Sequence, residues 1–112
     1  MKICFVSRHE GAVELIRRHD VPVTHFVPHL SADEVEQGDV VIGNLPIHLV
    51  MAVMAKGARY LHLTIEIPNE RRGCELSAEE MQGYALRFNE VKVTSGEDIS
   101  LAGLKDFLRT PN

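Results

Sequence analysis

Cysteine is scarce in this chain, and its two copies stand far apart: Cys4 in an apolar run and Cys74 in a polar loop. They make neither a disulfide framework nor a Cys-x-x-Cys metal site, so reduced thiols are expected, with Cys4 as core packing. Positive charge is also short, twelve Lys and Arg against sixteen Asp and Glu, a net charge of -4. That argues against long nucleic acid as a partner, which calls for a basic face. The apolar run before Ser7 is too brief for a signal peptide or a membrane span, so a soluble, cytoplasmic protein with no membrane partner is expected. The Gly-x-Gly-x-x-Gly fingerprint, the P-loop and any two-histidine metal motif are missing, and carboxylates do not cluster with histidines. Neither a metal nor a cofactor is therefore expected.

What remains is a chain of 112 residues, 45% of them hydrophobic, enough for one domain over 1–112 with a core of its own. Eight of the twelve cations are arginines, the type suited to bidentate phosphate contacts, so a small anionic ligand stays open.

The stretch Lys2 to His19 reads as a short apolar strand, a polar turn and a helix. Its turn holds Ser7, Arg8, His9, Glu10 and Gly11. In open α/β sheets the ligand sits beyond the carboxyl ends of the strands, which makes this turn the first candidate. The helix carries Ala12, Val13, Ile16 and, less neatly, Leu15 toward the sheet, while Arg17, Arg18 and His19 suit the dipole of its last turn. Val21 to Val27 reads as a second strand with Pro22 at its start. His25 and His29 are four apart with Pro28 between them, which spoils a helical metal pair and leaves strand or surface histidines. Ser31 to Glu36 resembles a short capped turn, with Glu34 three residues after Ser31.

Asp39 to Pro46 is the second informative stretch. Val40, Val41 and Ile42 suggest a central parallel strand buried on both faces, ending in the turn residues Gly43 and Asn44 before Pro46 opens a helix. That helix, Ile47 to Lys56, is apolar nearly all round, so in a chain this small a symmetric homodimer is the simplest cover for its outer side. His48 near its start faces either the crevice or such a partner. Ala58 to Ile67 alternates, with Leu61, Leu63, Ile65 and Ile67 on one face and Tyr60, His62, Thr64 and Glu66 on the other; the polar face is either exposed or lines a site. Arg71 and Arg72 lie in a charged loop that either folds over an anion or is simply solvated. A capping box at Ser77 to Glu80 opens a helix carrying Met81, Tyr84, Ala85 and Phe88; Asn89 to Thr94 gives a fifth strand, and Leu101, Leu104, Phe107 and Leu108 a closing helix before Pro111.

The predicted fold is α/β: a single compact Rossmann-like domain with a mostly parallel five-stranded sheet and helices on both faces. Candidate ligand contacts are Ser7, Gly11, Gly43, Asn44, Leu45, Pro46 and Glu66, with Arg8 and His9 as candidate catalytic groups. Such a crevice, doubled across a two-fold axis, suits a symmetric ligand such as a cyclic oligonucleotide.

The blocks FVSRHEGA, GDVVIGNLP, GARYLHLTIEIP and GCELSAEEM, in that order over roughly residues 1 to 94, resemble small accessory proteins of type III CRISPR systems, the Csx group. The resemblance implies a cytoplasmic, dimeric, CARF-like domain acting on cyclic oligoadenylate. It implies foremost a ring nuclease that cleaves cyclic tetra-adenylate and switches off antiviral effectors. In a metal-independent cleavage a ribose 2'-hydroxyl attacks the adjacent phosphorus, with Arg8 clamping the phosphate, His9 as acid or base, and Ser7 and Asn44 positioning it. The rival of a different class is a non-catalytic binder that sequesters the ring. A metal-dependent phosphodiesterase comes third, disfavoured by the missing ligand clusters.

Overall fold

A computed structural model describes residues 1–84 and 86–109. The two most continuous apolar runs form central strands, β1 (Ile3–Val6) and β3 (Val40–Gly43), because both of their faces are covered. Phe5 is sealed into the core on one side of the sheet and Val41 into the core on the other. α1 (Glu10–Arg18) follows β1, β2 (His25–Val27) returns beside it, and α2 (Ile47–Ala55) connects β3 to β4 (Arg59–Ile65). α3 (Ala78–Gln82), β5 (Leu86–Val91) and α4 (Leu101–Arg109) complete the chain.

The sheet order is β2-β1-β3-β4-β5, parallel except for antiparallel β5. The mostly parallel five-stranded α/β sheet expected from the sequence is therefore present. α1 and α3 cover one face and α2 the other. From β1 the chain steps outward to β2, then back past β1 to β3. A topological switch point thus lies between β1 and β3, and in open α/β sheets the carboxyl edge there is where ligands bind. At this point Gly43 is required by contact rather than by torsion: a Cβ on it would stand 2.9 Å from the Val6 carbonyl oxygen.

Several boundaries differ from the sequence reading. β2 is only three residues long, since the Val23 N–H turns back to the Val21 carbonyl (2.7 Å) and pairing with β1 starts at Thr24. In α1 Leu15 is buried while Val13 is only half-buried. α3 stops at Gln82, with Gly83 as its C-cap, so Phe88 lies on β5 opposite Leu63 and is 43% exposed instead of extending a helical core stripe. Ala85 and Pro111 lie outside the described residues. The polar face of β4 is neither uniformly exposed nor part of a cavity lining: Tyr60 is buried under α2 and Thr64 is exposed. α4 forms as expected, yet buries none of its residues. The radius of gyration, 17.1 Å, exceeds the roughly 13 Å of a compact chain this long, as expected when a terminal helix adds length and not core. Among the described residues no helix is long and apolar enough to cross a membrane.

Candidate functional site

A cavity of about 640 Å³ opens at the carboxyl edge over the switch point. Ser7, Arg8 and His9 enter from the β1–α1 turn, Asn44, Leu45 and Pro46 from the β3–α2 turn, and Pro28, His29 and Leu30 from the segment after β2. Leu63, Ile65 and Ile67 supply an apolar wall from β4 and beyond. Among the described residues no carboxylate lines it, although the chain as a whole is acidic. Its ionisable lining groups are thus one guanidinium and two imidazoles, a set that favours an anion.

The turn after β1 is shaped locally. The Ser7 N–H donates to the Val27 carbonyl (3.0 Å), and the Ser7 hydroxyl accepts the His9 N–H (3.1 Å), a short side-chain turn that aims the following residues outward. His9 caps α1 by backbone geometry alone, with no side-chain cap, so the first N–H groups of the helix are left to other acceptors. Arg8 and His9 are exposed and, among the described residues, no hydrogen bond or ion pair occupies either side-chain head. Arg18, Arg59 and Arg87, by contrast, are each paired with glutamate.

The turn after β3 is held by β4. Asn44 Nδ2 donates to the Leu63 carbonyl (3.1 Å). Tyr60 Oη takes the Leu45 N–H (2.9 Å), lies 2.9 Å from the Gly43 carbonyl and sits 2.7 Å from His62 Nδ1. A phenol has one proton to give, and the carbonyl can only accept. Tyr60 therefore donates to Gly43 and must accept from His62, which sets that imidazole as the Nδ1–H tautomer with Nε2 as its acceptor atom. Burial pushes the Tyr60 phenol up, opposed by the Leu45 N–H, so it stays protonated.

Of the residues nominated from sequence, Ser7, Arg8, His9, Asn44, Leu45 and Pro46 line the one cavity. The others do not. Gly11 is buried where the Leu76–Ser77 backbone crosses α1, and a Cβ there would sit 2.1 Å from the Leu76 carbonyl oxygen. Gly43 underlies the turn without facing the cavity. Glu66 lies outside it, 3.7 Å from Arg87 Nη2. His48, His62, Arg71 and Arg72 are outside the lining too, and Arg71 pairs with Glu80. His29, read as a surface or strand histidine, does belong to the lining. The signal was available in the pairing of β2 with β1, Val6 opposite Val27, which brings the residues after both strands to one edge. Burial raises the Cys4 thiol above its usual value, in keeping with core packing. No group of three or more His, Cys, Asp or Glu side chains among the described residues is arranged to hold a metal ion.

No curated protein and no solved structure matches the chain. A family model described as "Putative CRISPR-associated protein (Cas_VVA1548)" matches residues 4–94. That span covers both turns, His29 and, apart from Ile3, all five strands of the sheet, so the chain belongs to the Cas_VVA1548 family of CRISPR-associated proteins.

Proposed function

We propose that this protein is a ring nuclease of type III CRISPR signalling, which binds cyclic tetra-adenylate in the cytoplasm and opens it without a metal. The observation that carries the reading is the acid-free cavity at the switch point, with Arg8, His9 and His29 as its only ionisable lining groups, in a chain of a CRISPR-associated family. Arg8 holds the non-bridging phosphate oxygens and takes up the charge that grows on phosphorus. One imidazole of the His9 and His29 pair removes the proton of the ribose 2'-hydroxyl as that oxygen attacks in line. The other gives a proton to the departing 5'-oxygen. The products are a 2',3'-cyclic phosphate and a free 5'-hydroxyl, with protons balanced between the two rings. Asn44 and Leu45 bound the phosphate from the opposite turn.

A symmetric homodimer through the outer side of α2 completes the proposal. Ile47 is 69% exposed there, Met51 and Met54 are half-buried, and His48 is the one polar side chain among the nine residues of the helix. Two copies related by a two-fold axis present two cavities to a ligand with symmetry of its own.

The test is incubation with cyclic tetra-adenylate in EDTA, with linear products followed by chromatography. Linear product ending in 2',3'-cyclic phosphate supports the nuclease. Bound but intact ring identifies a sequestering protein, and cleavage that disappears with metal removal would assign the chemistry to an ion. Light scattering at the same concentration reads the dimer.

A further inference from the structure

A second concavity, of about 500 Å³, lies on the other side of the Ser7–His9 turn, between α1 and the end of β2. It shares Ser7, Arg8, His9 and Pro28 with the cavity over the switch point, so the turn is a ridge with a hollow on each side. Phe26 belongs to its lining. That ring meets the fully buried Phe5 edge to face, with centroids 6.0 Å apart, and the Arg17 guanidinium carbon lies 4.4 Å from its centroid on the outside. Three layers thus run from core to surface, ending in an exposed planar cation.

Arg17 has no carboxylate partner among the described residues, whereas the neighbouring Arg18 takes both Glu14 and Glu79. Its charge suits the helix dipole wherever the side chain goes, so the dipole does not explain why it is laid over an aromatic ring. Contact with Phe26 does: it holds the guanidinium over the ring at an exposed position. A weakly hydrated planar cation held in this way is a stacking surface for a nucleobase.

We propose that Arg17 on Phe26 is a nucleobase platform, serving a nucleotide whose phosphate lies at Arg8 and His9. Charge sets the orientation. Glu10 and Glu14 line this second hollow beside Arg8 and Arg17 and offer carboxylate acceptors to an exocyclic amine, while in the cavity across the ridge Arg8 faces no acid among the described residues, which makes that side the better seat for a phosphate. A purine therefore faces Arg17 and the phosphate faces the turn. The proposal rests on the phosphate-binding part of the reading above, not on cleavage.

The experiment is an NMR titration of the full chain with adenosine 5'-monophosphate, ribose 5-phosphate and adenosine in turn. Adenosine 5'-monophosphate is expected to shift the Phe26 ring, the Arg17 Nε–H and the Ser7 to His9 amides, and ribose 5-phosphate only the last. Arg17→Lys keeps the charge and loses the plane. It should weaken the monophosphate about tenfold, the size of one lost base stack, and leave ribose 5-phosphate unchanged. Equal loss for both ligands, or none for either, overturns the platform. If both phosphates shift the turn but never Phe26 or Arg17, the platform falls and the phosphate site stands. If adenosine shifts Phe26 and Arg17 while neither phosphate touches Ser7 to His9, the platform stands and the phosphate site falls.

Discussion

The two edges of the parallel sheet are built from similar residue types and treated in opposite ways. At the amino edge Asp39, 2% exposed, accepts the N–H groups of Lys2 (2.8 Å) and Glu36 (2.9 Å), with the Lys2 ammonium 3.7 Å away. Thr24 similarly closes on both backbone groups of Ile3. At the carboxyl edge Arg8, His9 and His29 line a cavity where no acid among the described residues meets them. One edge closes its polar groups on the chain itself, while at the other the side-chain heads of Arg8 and His9 have no partner among the described residues. The contrast separates stability from chemistry, so substitutions at the two edges should fail in different assays.

The largest effect is expected at the open edge. His9→Ala or His29→Ala should slow ring opening by about a hundredfold or more, the usual worth of a general acid or base. Arg8→Ala should cost about as much through lost charge stabilisation. These groups are exposed or line a cavity, so urea midpoints should barely move. Cleavage time courses beside urea curves check both halves. A full cleavage rate in all three variants would refute the assignment of this edge.

At the closed edge, Asp39→Ala leaves two part-buried N–H groups without their acceptor and should lower unfolding free energy by about 2 kcal/mol. Cyclic tetra-adenylate turnover per folded molecule should stay as it was. The same carboxylate makes stability pH-dependent. The backbone N–H of Lys2, then that of Glu36, hold its pKa below the ordinary carboxylate value, against the opposing pull of burial. A depressed carboxylate contributes fully above its unfolded value, about 4, and that contribution is lost as pH falls through the folded value. Urea midpoints measured from pH 6 to pH 3 should therefore fall more for the native chain than for Asp39→Asn. Parallel curves would break the link between Asp39 and the closed edge.

How much of this was legible in the sequence depends on the range of the interaction that decides each feature. A short apolar run announced β1 and a β-branched one β3, and the turns after them announced residues that line the cavity, because both are local. Two Ser-x-x-Glu boxes show the limit. Ser77 and Glu80 form the reciprocal cap, while Ser31, with Glu34 at the same spacing, makes no side-chain cap on its single 3-10 turn. The motif acts only where several residues of helix follow. His29 was passed over because its place depends on the pairing of β2 with β1, and Glu66 was nominated although its side chain leaves the cavity for Arg87. Helical period identified α4 as amphipathic without saying whether anything packs on it.

The smallest expected effect joins the two kinds of edge. Tyr60 is buried like Asp39, yet it holds the β3 turn of the open side through Gly43 and Leu45. Tyr60→Phe leaves the ring and removes the oxygen, so it should cost only about 1–2 kcal/mol, with the Leu45 N–H left unpaired. Its sharper consequence is on His62. Losing the phenol removes the acceptor that holds the proton on Nδ1, and the ring should relax toward the Nε2–H form that imidazoles favour in water. Long-range nitrogen–proton correlation spectra distinguish the two tautomers directly. If His62 already carries its proton on Nε2 in the native chain, then Tyr60 donates to His62 instead, the Gly43 carbonyl goes without that bond, and the β3 turn is looser than the β1 turn it faces.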